Sequence, residues 1–574
     1  DYLRWFDAQL DLHAGGAPKA RLFTKLEHLR AASFGRWRLG TDDSKTGVDG
    51  EGDSYESISW PVAEDVPFDL AAGLQVGAIE HPGLMVRPAL RRQCVEPPGT
   101  SLHALLGVVE DLGRLRSEVR NFESYAAREL PSDWLEEIVP EDASLTADER
   151  SRIQDSARQR FESMAMRYER GGKTGVERAF DEELSGHLGM RLVERDSKQR
   201  EQWLWSSLRV QIGQDVTLTI DGELQRLVER HVGEACDRMA AEHPEIENQS
   251  RVAAAMAVID AWTGDVLAVA GAPLHGTAAR QVPGVVWFGN GSLGSVVKPF
   301  VLVEQLSSEM LGRPHKPLAE IEPCSGPFEY GSMKLSACGR HLHWDEGKDP
   351  VAAIAKSCNR FFYQVAVGLG ADGVERALQR FGLLPSAAGS EFAASWQDRV
   401  PGFPWYSPRL AYAASVPQRA IGYGVAATPL AVARAYAGIA TGRLPTLGMV
   451  AGAARPVVDL DAVAAELELV RKGLRACVEW GTADDVIGLR NFAVEGKTGT
   501  AEIGDDNENN AWFAGYLPTA SPAGVQLCFC SVIYWVRDGT HGATAAGGMV
   551  AQVLAELATR PDLCRRYLPL GSGR

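Results

Sequence analysis

The apolar positions change rhythm part-way along the chain. Residues 1–210 are charged and irregular. Asp, Gly and Ser concentrate over 41–56, which predicts an exposed loop, and dense mixed charge over 144–172 predicts a solvated helix. From about residue 211 the texture is that of a packed domain. Residues 215–220 alternate as a short strand, and Leu224, Leu227, Val228 and Val232 recur at helical spacing between Glu223 and Ala240. Apolar runs at 252–259 and 265–270, joined through Trp262-Thr263-Gly264-Asp265, predict two buried strands about a turn. The runs 511–517 and 525–536 predict further strands, 545–558 a closing helix, and helical spacing dominates from about 295 to 480. Strands at both ends with helices between predict an α/β domain of the α+β kind, an antiparallel sheet flanked by helices. The boundary is expected near 210: residues 1–210 as one domain and 211–574 as the other.

Length and charge narrow the class. A chain of 574 residues is too long for a single core, so two or three domains are expected. The formal net charge of −16 disfavours nucleic acid and simple adhesion to anionic lipid, both of which need clustered Lys and Arg. No apolar run reaches the roughly 18–20 residues that span a bilayer, and no signal peptide is visible. The chain opens on Asp1 and not Met, so an upstream segment is expected. Nine cysteines, without a CxxC pair, form neither a dense disulfide framework nor a zinc ribbon. Cys528 and Cys530 would share one strand face as small buried thiols.

Three short motifs carry chemistry. The first is Ser295-Val296-Val297-Lys298, at the start of a predicted helix over 295–309 in which Pro299 is tolerable in the first turn. A serine and a lysine three apart lie on one helix face. The hydroxyl needs a base, and a lysine serves as one only when burial or a nearby cation depresses its pKa. Lys497, if brought close, supplies that charge, and the helix start offers N–H groups to an oxyanion. The second motif is Ser357-Cys358-Asn359, within a helix predicted over 350–367. Residues two apart diverge on a regular helix, so Ser357 and Asn359 converge only at a helix end or loop. There the serine can relay a proton and the asparagine can hold a substrate amide and the base lysine. The third is Lys497-Thr498-Gly499, followed by Thr500. Lys497 and Thr498 suit a carboxylate, and Gly499 makes room for a substrate backbone beside a strand edge. Ser-x-x-Lys and Ser-x-Asn occur once each, whereas Lys-Thr-Gly recurs at 45–47 and at 173–175. The triple in this order is the specific signal.

The chain resembles the penicillin-binding transpeptidases over about 350 residues. Beside the three motifs, the resemblance rests on Leu218-Thr219-Ile220-Asp221, Thr263-Gly264-Asp265, Ile421-Gly422-Tyr423-Gly424 with Thr428-Pro429-Leu430, and Gly481-Thr482-Ala483. Residues 82–109 and Gly172-Lys173-Thr174-Gly175-Val176-Glu177 resemble the pedestal of the monofunctional, class B members, which gives the Lys-Thr-Gly at 173–175 a structural meaning. No glycosyltransferase motif of the bifunctional members is seen, and the usual RGxIxDRxG pedestal opening is absent. Tyr423 stands where relatives carry glutamine, and Gly291-Ser292-Leu293-Gly294 replaces the common Pro-Gly-Ser lead.

The resemblance implies a peptidoglycan D,D-transpeptidase with no cofactor and no metal. Ser295 is the implied nucleophile and Lys298 its base. Ser357 and Asn359 move protons and bind the donor, Lys497, Thr498 and Thr500 bind its carboxylate, and the N–H groups of Ser295 and Thr500 form the oxyanion hole. Implied partners are peptidoglycan stem peptides or their lipid-linked precursor, β-lactams, and a membrane glycosyltransferase of the shape, elongation, division and sporulation group. The implied place is the outer side of the cytoplasmic membrane, held by an N-terminal helix upstream. A D,D-carboxypeptidase or β-lactamase is a weaker reading, because no ExxLN stretch lies between Asn359 and Lys497. A non-catalytic scaffold or β-lactam sensor fits less well, because every catalytic side chain is present. Cys324 and Cys338 with His341 and His343 stay open between packed thiols, a disulfide and a metal site. Cys358, His541, Trp512 and Phe513 read as packing or surface residues.

Overall fold

The computed structural model describes residue 72 and residues 102–111, 146–168, 170–186, 190–195, 201–208, 212–242, 253–273, 292–335, 338, 349–385, 409–410, 412–503, 508–537 and 542–571. The chain divides into two compact units, Asp1–Arg91 and Arg92–Arg574, and the second carries all three motifs.

The centre of that second unit is a five-stranded antiparallel sheet. The strands are β1 (Ala253–Asp260), β2 (Val266–Pro273), β3 (Glu495–Ile503), β4 (Glu508–Tyr516) and β5 (Leu527–Arg537), in the order β3-β4-β5-β1-β2. All of β1 is buried, and its residues divide by alternation between two cores. Ala253, Ala255, Ala257 and Ile259 face one, and Ala254, Met256 and Val258 the other. A strand covered on both faces reads as a continuous apolar run, and the 252–259 run has that form.

The second face is covered by α1 (Gly222–Glu242) and by α7 (Gly548–Thr559), which is followed by α8 (Pro561–Tyr567). Asp221 starts α1, its Oδ1 accepting from the N–H groups of Glu223 at 2.9 Å and Leu224 at 3.0 Å. The first face carries α2 (Lys298–Met310), α3 (Pro350–Ala355), α4 (Asn359–Arg380), α5 (Pro429–Thr441) and α6 (Ala464–Glu479). Helix α5 is apolar on nearly every side because it is buried on nearly every side. Thr428 caps it and Gly442, at φ 74°, ends it.

Three expectations shift. Residues 215–220 form no strand; Leu218 makes one isolated bridge to Val450, flanked by single bonds from Thr219 N–H to the Met449 carbonyl and from Ala451 N–H to the Thr217 carbonyl. The closing helix begins with a wide turn over Ala543–Gly547 before α7 proper. The helix predicted over 350–367 is two helices, α3 and α4, with a break at 356–358. Cys528 and Cys530 do lie on one face of β5, both buried.

The Lys-Thr-Gly at 173–175 has a structural setting. A short strand Arg170–Gly172 pairs with Val109–Asp111, and Lys173 bonds Glu110 at 2.7 Å. Gly175, at φ 63°, lies against the Leu105 carbonyl, so residues 105–111 and 170–175 form one knot. Among the described residues, no helix is long and apolar enough to cross a membrane.

Helices α2 and α4 are locked by a buried carboxylate. Glu304 is fully buried and meets Arg376 at 3.0 Å and Arg380 at 2.7 Å. Removing both arginines leaves that charge only Arg313, at 3.9 Å, and the Ser308 hydroxyl, at 3.3 Å, so Arg376→Ala with Arg380→Ala is expected to destabilise the fold by roughly 3 kcal/mol in denaturant unfolding. Glu304→Leu, which frees partly exposed arginines to reach water, is expected to be clearly milder. The reverse ranking would refute this view of the clamp.

Candidate active site

The chain enters α2 through a 3₁₀ turn, Gly294–Val297. In that turn side chains three apart eclipse one another, so Ser295 and Lys298 project together more closely than on an α-helix. Ser295 is half-buried, and Lys298 is fully buried. The turn is pressed on β3, the edge strand of the sheet. Gly294 has φ 60°, and a Cβ there would lie 2.7 Å from the Thr500 carbonyl oxygen. A side chain at Gly499 would meet the Leu293 carbonyl at 2.9 Å and Val296 at 3.0 Å. The room that Gly499 makes is therefore filled by the Ser295 turn itself, and not by the substrate backbone that the motif suggests.

Other groups pin this turn. Trp512 Nε1 donates to the Ser292 carbonyl at 3.0 Å, and Tyr436 Oη to the Val296 carbonyl at 2.9 Å. The Leu293 N–H donates to the Val425 carbonyl at 3.2 Å, and a Cβ on Gly422 would fall 2.1 Å from the Gly294 oxygen. The Ile421–Gly424 segment is thus a brace behind the serine. Tyr423, in place of the family's glutamine, is half-buried against the same core.

The break between α3 and α4 brings the second motif inward. Ser357 has φ 57°, a left-handed conformation that costs a non-glycine residue roughly 1 kcal/mol or more. Cys358 is extended, and Asn359 is the first residue of α4. The result is that Lys298 Nζ donates to the Ser357 carbonyl at 2.8 Å, to Ser357 Oγ at 3.0 Å and to Asn359 Oδ1 at 2.6 Å. The Phe362 ring lies 5.6 Å from the amine. Burial first, and the Lys497 charge second, bring the Lys298 pKa down to about 7.

Lys497 and Thr498 are buried on β3, whereas Thr500 is exposed. Burial also lowers the Lys497 pKa. Its amine donates to the Thr498 carbonyl at 3.0 Å and lies 3.4 Å from Thr498 Oγ1. Because the Thr500 carbonyl faces Gly294, the Thr500 N–H lies along the same free edge of β3, next to Ser295. All three motifs therefore meet where the 3₁₀ turn, the α3–α4 break and the edge of β3 converge.

Residues 254–554 match the penicillin binding protein transpeptidase domain. The chain belongs to that family. Among curated relatives it is similar to the peptidoglycan D,D-transpeptidase MrdA of Escherichia coli, 25% identical over 266 residues that cover 41% of this chain and 38% of MrdA. It is also similar to the D,D-transpeptidase FtsI of E. coli, 26% identical over 419 residues, covering 68% of this chain and 64% of FtsI. The chain thus spans less than two thirds of the length of either relative. A solved transpeptidase domain of Burkholderia pseudomallei penicillin-binding protein 3 is 21% identical with a TM-score of 0.46, covering 60% of this chain and 96% of that one.

Sequence reasoning missed two contributors in this family site. Tyr436 looks like one more core residue of α5, and nothing in the pattern singles it out. Cys338 groups in the sequence with Cys324 and the histidines, yet its sulfur accepts from the Asn359 N–H at 3.1 Å and lies 3.9 Å from the Cys358 sulfur. The sulfurs of Cys324, Cys338 and Cys358 all lie within 4.8 Å of one another, and all three are buried, unbridged thiols. The pKa of Cys324 is raised mainly by burial and that of Cys358 mainly by its bond to Cys338. His341, His343 and His541 lie outside the described residues. Trp512 and Phe513 are core residues as expected, though Trp512 also bonds the nucleophile segment.

The electrostatics yield a direct expectation. Lys497→Met removes the neighbouring cation, so the Lys298 pKa is expected to rise from about 7. NMR titration of isotope-labelled lysine checks this; an unchanged or lower value would remove Lys497 as a cause.

Proposed function

We propose that this chain is a class B penicillin-binding protein that cross-links peptidoglycan as a D,D-transpeptidase. The observation carrying the reading is the buried Lys298 amine, three residues after Ser295 and bonded to Ser357 and Asn359. Ser295 Oγ attacks the carbonyl carbon of the penultimate D-Ala of a donor stem peptide and passes its proton to neutral Lys298. The oxyanion is met by the N–H groups of Ser295 and Thr500. Ser357 conveys a proton to the amine of the departing D-Ala as the C–N bond breaks, leaving an ester on Ser295. An acceptor amine from a second stem then attacks that ester, its proton returns through Lys298, and the new amide leaves as Ser295 regains its hydrogen. Lys497, Thr498 and Thr500 hold the donor carboxylate, and Asn359 holds both the donor amide and Lys298. A β-lactam presents a strained amide to the same atoms, and ring opening leaves the drug attached to Ser295.

The names of the relatives support peptidoglycan as substrate. On this reading residues 1–210 are a pedestal for the catalytic domain of 211–574. The protein works on the outer side of the cytoplasmic membrane, held by an N-terminal helix and paired with a membrane glycosyltransferase that supplies the strands.

Intact-protein mass after exposure to benzylpenicillin tests the proposal. Wild type is expected to gain one drug mass, and Ser295→Ala none. An adduct that survives in Ser295→Ala would displace the nucleophile. Rapid drug hydrolysis without a lasting adduct would favour a hydrolase.

A further inference from the structure

The Gly481-Thr482-Ala483 tripeptide takes part in none of the proposed chemical steps, yet it lies between two of the three motifs. Thr482 Oγ1 is 2.6 Å from Thr498 Oγ1 and 3.2 Å from Cys477 Sγ. The Thr482 N–H donates to the Ala355 carbonyl at 2.9 Å, at the end of α3 and two residues before Ser357. Gly481 makes this approach feasible: a Cβ there would lie 2.3 Å from the same Ala355 oxygen and 2.6 Å from the Cys477 Cα. Ala483 is wholly buried, and its N–H donates to the Cys477 carbonyl at 3.0 Å, which anchors the tripeptide to the end of α6.

Either hydroxyl or thiol can donate in the Cys477–Thr482 and Thr482–Thr498 contacts, and one set of directions fits the donor-only amine of Lys497. Lys497 only donates, and its amine is on the Thr498 side at 3.4 Å from Oγ1. If Cys477 S–H donates to Thr482, the Thr482 hydroxyl hydrogen goes to Thr498. Thr498 then accepts from Lys497 and Thr482 together, and its own hydrogen is left for the open side of the site. We propose that Thr482 is a positioning residue: it orients the Thr498 hydroxyl as a donor to the substrate carboxylate and sets the spacing between Thr498 and Ser357. This rests on the transpeptidase reading, in which Thr498 meets that carboxylate. A donor held in place before the substrate arrives needs no reorganisation when it binds.

The test compares acylation by benzylpenicillin with acylation by its methyl ester, followed by intact-protein mass. Only the free acid presents the carboxylate. Thr482→Val keeps the shape and removes the hydroxyl. It is expected to slow acylation by the acid about tenfold and by the ester less than about twofold. Thr482→Ser is expected to restore the acid rate, and Thr482→Ala gives the same comparison should the valine variant not fold. A parallel loss for acid and ester, or an unchanged ratio, overturns the inference while leaving the reading of the site intact. Wild type that neither probe acylates overturns the reading and this inference with it.

Discussion

A buried lysine amine is the constraint on which the site depends. Lys298 lies at the entry of α2 with no exposed surface, and an ammonium there loses its water. Three oxygens, two from Ser357 and one from Asn359, compensate in part. The residual penalty is the depression from 10.5 to about 7, which corresponds to roughly 5 kcal/mol against the protonated form. Between about 7 and 10.5 the unfolded chain binds the proton that the folded chain rejects, so this group disfavours folding most below about 7 and the penalty fades as pH rises. The fold tolerates that loss at the position where a weakly basic amine is useful.

Everything that holds Lys298 also holds its neighbours. The 3₁₀ turn must touch β3, and Gly294, Gly422 and Gly499 each remove a Cβ that would collide with the opposing backbone. The left-handed Ser357 must stay strained, and the α3–α4 break keeps it so, with Cys338 bonding the first N–H of α4. Glu304 ties α2 to the C-terminal part of α4, beyond the kink at Gly370, through Arg376 and Arg380. A two-core sheet supplies the rigid edge against which these parts are set.

The sheet and the helix succession were legible in the sequence because apolar runs such as 253–260 have one stable use. So were the three motifs, whose order limits the chemistry. Three features were hidden. The α3–α4 break was visible only as a requirement, because Ser357 and Asn359 two apart had to leave a regular helix; no glycine or proline marks it. The purpose of Gly499 depends on which chain segment packs against β3, a tertiary fact. Tyr436, Cys338 and Thr482 act through contacts 16 to 140 residues away in sequence, which no local pattern encodes.

The central claim is that Lys298 works as a neutral amine at ordinary pH. The pH dependence of the second-order rate of acylation by benzylpenicillin measures this most directly. The rate should climb with pH, pass its midpoint near 7 and level off above about 8, following one deprotonation. A rate that is flat from about pH 5 to 9, or still climbing towards about pH 10, would contradict it.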